Sequence, residues 1–128
     1  MKRVTGIGGI FFKAQDPETL KEWYRRHLGL EPQADGTVVF RWREQDRSTE
    51  AGSTVWAPFP QDTRYFEPGT KPFMINYRVA HLDWLLDQLR SEGVEVDDRI
   101  EEMEYSRFGW ILDPEGNRVE LWEPAEGL

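Results

Sequence analysis

An α+β fold made of two similar halves in tandem is what this sequence predicts, and three observations predict it. Strand-like and helix-like periodicities run in the order strand, helix, strands, and the same order then repeats. A Trp-x-Pro pair closes each half, Trp56 with Pro58 and Trp122 with Pro124, both at an offset of 66. The 128 residues suit one ordinary domain, or two small halves sharing a core.

Residues 7–14 alternate as a strand. Asp16-Pro17-Glu18 then starts a helix: an N-cap carboxylate, proline at the first helical position and an acidic first turn. Leu20, Trp23, Tyr24 and Leu28 form its apolar stripe, to be buried on a sheet, and Gly29 is its left-handed stop. Strands follow at 37–43 and 53–57, joined by a polar connection over 44–52. The segment 59–71, with Pro60 and Pro68, reads as the linker between modules of about 1–60 and 72–128. In the second half a strand covers 73–79. A helix spans about 83–92, with Leu82, Leu85, Leu86 and Leu89 on one face and Gly93 as its stop. Another strand begins over 94–96, and Asp113-Pro114-Glu115-Gly116-Asn117 turns a hairpin between 108–112 and 118–122. The first strands of the halves align at an offset of 65, Ile10 with Ile75 and Lys13 with Arg78.

Composition excludes several classes. There is no cysteine, hence no disulfide, thiolate metal site or cysteine nucleophile. The net charge of −8 lacks the basic stripe that nucleic acid requires. No apolar run approaches the ~20 residues of a membrane span, and the start lacks a secretory pattern, so a cytoplasmic location is expected. Six Trp, seven Phe and four Tyr predict a folded, aromatic-rich interior.

Alternation assigns faces. Ile10, Phe12, Phe73, Ile75, Tyr77, Val79, Val119 and Leu121 point to the helices. Gly9, Phe11, Lys13, Met74, Asn76, Arg78, Arg118, Glu120 and Trp122 lie opposite. Arg41 joins them if Val38, Phe40 and Trp42 face the helix. This second face mixes rings, an amide, cations and one carboxylate. It suits either a half-open cleft with placed polar groups or a solvated sheet with cationic stems lying over aromatics.

Three segments carry a family resemblance: GIGGIFFKAQDPETLKEWYRRHLGL (6–30), FMINYRVAHLDWLLDQLRSEGVEV (73–96) and FGWILDPEGNRVELWEP (108–124). Through them the chain resembles the vicinal oxygen chelate superfamily, the glyoxalase/bleomycin-resistance/dioxygenase proteins. The resemblance implies a glyoxalase-like fold, two βαβββ modules whose mixed sheet curls into a U-shaped cleft, and a homodimer. It also implies a divalent metal held by four inward side chains. Carried over by position, these fall on Gly9, Thr54, Met74 and Glu120. Only Glu120 has ligand chemistry: glycine has no side chain, and a thioether is too soft for Mg, Mn or Ni. His27, near the end of the first helix, and His81, at the start of the second, read as structural or solvated. No cofactor is therefore expected, and metal-dependent glyoxalase I activity is not supported.

Two functions follow. The first is metal-independent binding of a small anionic or aromatic molecule, with Lys13, Arg78 and Arg118 as cations and Phe11, Asn76 and Trp122 as walls, to which Trp56 is a further candidate. Lys13 and Arg78, at equivalent positions of the two halves, are expected to flank one cleft. Cationic bleomycin does not suit those charges. The second is a lyase or isomerase with Glu120 as general acid or base, with or without a weakly held metal, in place of Glu120 as a structural ion-pair partner. Tyr65-Phe66 would close over the cleft or cover a sheet edge. A third possibility is an interaction module whose cleft its own side chains fill.

Overall fold

The structure, a computed structural model, describes residues 2–43, 51–104 and 106–125. Its elements run β1 (Val4–Ala14), α1 (Pro17–Leu28), β2 (Val38–Arg43), β3 (Ala51–Pro60), β4 (Phe73–Val79), α2 (Leu82–Ser91), β5 (Glu95–Val96), β6 (Glu101–Met103), β7 (Ser106–Leu112) and β8 (Arg118–Pro124). They form one mixed sheet in the order β2-β3-β1-β4-β8-β7-β5, with β6 on β7. The first strands of the two halves, β1 and β4, pair antiparallel at its centre. Each lies parallel to the late strand of its own half, β1 beside β3 and β4 beside β8. This is the expected α+β fold. Strand β6 is an addition: its Glu-Glu-Met sequence carries no alternation that would mark it. Most of the 44–52 connection lies outside the described residues.

Local chemistry sets the helix ends. Asp16 accepts a hydrogen bond from the Thr19 N–H at 3.1 Å, and Gly29 stops α1 at φ 71°. His81 stands at the N-cap of α2 without a side-chain bond, and Glu123 of β8 accepts from the Leu82 N–H at 2.8 Å in its place. Val79, Leu82, Leu85, Leu86 and Leu121 make the core between α2 and the sheet.

The α1 stripe is a partial correction. Tyr24 packs its ring on Trp56, which also meets Phe12. Trp23 and Leu28, however, are 51% and 61% exposed, and no residue of α1 is fully buried. The stripe is wider than the strip of sheet that α1 covers, so its outer members face solvent. Leu28→Ala is accordingly expected to shift stability by no more than about 0.5 kcal/mol, measured by urea unfolding.

Register corrects the repeat alignment. Phe11 pairs with Ala57, as Asn76 pairs with Glu120. At the offset of 65 that relates β1 to β4, Ala57 and not Thr54 is the counterpart of Glu120. The Trp-x-Pro pairs are therefore three residues out of structural phase. An odd shift exchanges faces: Trp56 meets α1, whereas Trp122 stacks on Phe108 on the opposite face.

Candidate functional site

The face away from the helices gathers around Glu120, which is 2% exposed. Strand β8 presents Arg118, Glu120 and Trp122 to one side. The hairpin register sets Trp110 against Glu120 and Phe108 against Trp122. Three neutral donors hold the carboxylate. The Asn76 amide reaches Oε1 at 2.6 Å, the Trp110 indole N–H reaches Oε2 at 2.9 Å, and the Tyr65 hydroxyl also donates to Oε2. Burial pushes the Glu120 carboxyl above its ordinary value, against the pull of these bonds and of Arg118. Burial likewise raises the Tyr65 hydroxyl, helped by the neighbouring Glu120 charge.

Backbone geometry makes room for this network. Strand β1 carries a bulge between Ile7 and Gly9. A Cβ on Gly8 would lie 2.2 Å from Asn76 Oδ1 and 2.8 Å from Trp122 Cε3, and one on Gly9 would strike the Phe11 ring at 2.6 Å. Two adjacent glycines thus let Asn76 and Phe11 lie against the strand.

The expected half-open cleft is filled at its centre. Phe66, Met74 and Trp110 form a buried cluster with Phe11, Phe59, Tyr65 and Phe108. Tyr65 and Phe66 come from the 61–72 connection and are plugs in that cluster, neither a free lid nor an edge cover. Gly69 of the same connection fits closely over the Arg118 backbone: a Cβ there would lie 2.9 Å from the Arg118 nitrogen. Tyr65→Phe is expected to cost about 1.5 kcal/mol through the lost bond to the carboxylate, read from urea midpoints.

The expected cations separate. Arg78 lies 5.1 Å from the Trp122 ring centroid and 5.5 Å from that of Trp42, and donates to Ser53 at 3.4 Å. Lys13 sits at the other end of the central strand pair, where its N–H bonds the Pro72 carbonyl at 2.8 Å. Gly6 is the strand partner of Arg78, so the two cations are on the order of 20 Å apart along the pair and do not flank one cleft. Antiparallel pairing sends equivalent positions to opposite ends. Arg41 is exposed on the edge strand, opposite Ser53. Arg118 is 8% exposed; its guanidinium lies 4.8 Å from the Trp110 ring centroid and donates to the Tyr65 carbonyl. Burial lowers its pKa.

Beside Arg118 an open hollow of about 410 Å³ lies at the rim, bordered by Pro68, Glu95, Val96, Asp97, Trp110, Ile111, Leu112 and Arg118. Residue type alone marks neither Trp110 nor Tyr65 as a donor to Glu120. The hairpin turn held the signal for Trp110, because pairing Leu112 with Arg118 across it puts Trp110 opposite Glu120.

The sequence model of the Glyoxalase/Bleomycin resistance protein/Dioxygenase superfamily matches residues 6–121. The chain belongs to this superfamily. No curated protein matches it. Among solved structures it is similar to methylmalonyl-CoA epimerase from Mycobacterium tuberculosis, with 24% identity, TM-score 0.61, and coverage of 98% of this chain and 91% of that one. A Streptomyces coelicolor methylmalonyl-CoA epimerase variant in complex with 2-nitronate-propionyl-CoA gives 20% identity and TM-score 0.68, over 95% and 99% of the two chains. A superfamily member from Vibrio splendidus 12B01 gives 12% identity and TM-score 0.56, over 91% and 97%. At these identities the likeness concerns the fold.

The superfamily's metal can be tested against the donor set. With the register corrected, the four positions hold Gly9, Ala57, Met74 and Glu120. Gly9 and Ala57 offer no donor, and Met74 is wholly buried in the aromatic cluster. Thr54, expected as one of the four, spends its hydroxyl on the Ile7 carbonyl at 2.5 Å and on the Trp42 indole at 2.8 Å. Both oxygens of Glu120 already accept hydrogen bonds. His27 packs on Trp23 at the end of α1, away from Glu120. Among the described residues no group of three or more His, Cys, Asp or Glu could hold an ion. These residues do not fit a divalent metal.

Proposed function

We propose that this superfamily member binds a small organic molecule, carboxylate-bearing or aromatic, on the cleft face without a metal. One observation carries the reading: the single carboxylate at the family's ligand positions is satisfied by three neutral protein donors. Support for binding comes from the hollow beside Arg118, whose volume falls in the range of small-molecule sites. On the family's habit the reading takes the protein as a homodimer, and it keeps the cytoplasmic location expected from the sequence. The test is a ¹H–¹⁵N spectrum in EDTA-containing buffer, titrated with benzoate and with indole. Saturable shifts of the Trp110 indole signal and its neighbours support the reading. Shifts that appear only after a divalent metal is added overturn it.

A second reading rests on the Glu120–Tyr65 pair. A buried carboxyl held above its ordinary value, in contact with a phenol, is equipped to carry a proton in an isomerase or lyase. A substrate reaches Oε2 only if the Tyr65-Phe66 segment moves aside. Solvent-deuterium incorporation into a substrate, lost in Glu120→Gln, would favour this reading.

A further inference from the structure

The rim hollow has a charge pattern that selects among small molecules. We infer that it binds a zwitterion of the α-amino-acid type with an apolar side chain; this rests on the binding function proposed above and names its ligand class. Arg118 presents a guanidinium whose Nη1 is committed to the Tyr65 carbonyl and whose Nη2 lies 3.9 Å from Asp97 Oδ2, too far for a hydrogen bond. Its buried Nε has no hydrogen-bond partner. Asp97 Oδ1 accepts from the Arg99 N–H at 2.9 Å, leaving Oδ2 turned toward Arg118 across the gap. Glu95, exposed on β5 two residues before Asp97, forms no ion pair with a cation among the described residues. Between these charges the border is apolar: Pro68, Val96, Ile111 and Leu112.

A ligand with a single charge is matched on only one side of this pattern and binds more weakly than one that matches both. An anion alone would gain Arg118 but face Asp97 and Glu95, and a cation alone would meet the reverse. An ammonium and a carboxylate one carbon apart match the short spacing between Asp97 and Arg118. The carboxylate takes Arg118 Nη2, the ammonium sits toward Asp97 and Glu95, and the side chain lies on the apolar border. No bond is made or broken.

The experiment compares L-leucine, N-acetyl-L-leucine and L-leucinamide by calorimetry and by the Trp110 indole signal. L-Leucine is expected to bind at least tenfold tighter than either blocked form. Arg118 is part of the buried network and its loss could unfold the chain, so the variants are Asp97→Asn and Glu95→Gln together, at the exposed rim. They are expected to weaken leucine at least tenfold while leaving thermal unfolding unchanged. Equal affinity for N-acetyl-L-leucine, or for leucine in the double variant, overturns the inference. If benzoate or indole shifts Trp110 and leucine does not, the inference falls and the binding function stands. If none of them shifts it, both fall.

Discussion

Glu120→Leu is expected to destabilise the chain by about 4 kcal/mol, because it strands the Tyr65 hydroxyl, the Asn76 amide and the Trp110 indole N–H in an apolar cluster at a cost of about 1–3 kcal/mol each. Leucine fills the volume, so the loss isolates the hydrogen bonds from packing. Glu120→Gln keeps one acceptor and turns an amide toward donors, and should cost about 2 kcal/mol. The pair of variants also reads the protonation of the site. A carboxyl raised in the folded state lends stability that is full below its unfolded value and is lost as pH climbs through the folded one. For Glu120 that decline begins near the ordinary 4.5 and continues above it. Wild type should therefore lose its advantage over Glu120→Gln as pH rises from about 4 to 8. Asp83 and Asp113, held low by hydrogen bonds from Arg107 and Asn117, act oppositely, losing their contribution as pH falls, but equally in both proteins. Thermal midpoints across that range check the sign; a gap that widens with pH would refute the assignment.

The second large effect comes from the backbone. Gly8→Ala puts a methyl 2.2 Å from Asn76 Oδ1 and 3.1 Å from Arg78 Cγ, in a region without positive φ strain. Something must move, and Asn76 is the member whose displacement also breaks a bond to Glu120. Overpacking of roughly 1–3 kcal/mol and the lost hydrogen bond together predict about 3 kcal/mol. The same substitution at Gly93, where a Cβ meets nothing within 4 Å, costs only the strain of its φ of 83°. Urea unfolding of the two variants separates crowding at the site from conformational strain. Equal losses would mean that Gly8 matters only as backbone.

Much of the fold was legible because it rests on local chemistry. The Asp16-Pro17 start, the Gly29 stop and the Asp113–Asn117 turn each satisfy backbone groups within a few residues. Alternation through β4 separated Met74, Asn76 and Arg78 from Ile75, Tyr77 and Val79. The site was harder to read. A Trp-x-Pro likeness points to Thr54, yet face is set by strand pairing, and a shift of three residues reverses it. Lys13 and Arg78 match in sequence, but the antiparallel centre sends them apart. Tyr65 lies in a segment without periodicity, and nothing local marks it as a donor to a residue 55 positions away. Trp110 was within reach, since a short hairpin fixes its own register.

The most direct test of the account is metal stoichiometry. The protein is expressed with manganese, nickel and zinc supplied, purified without chelator and assayed by plasma mass spectrometry. A cleft whose carboxylate already serves three protein donors should retain well under one-tenth of an equivalent of any of these metals. One equivalent per chain, abolished by Glu120→Ala, would contradict it.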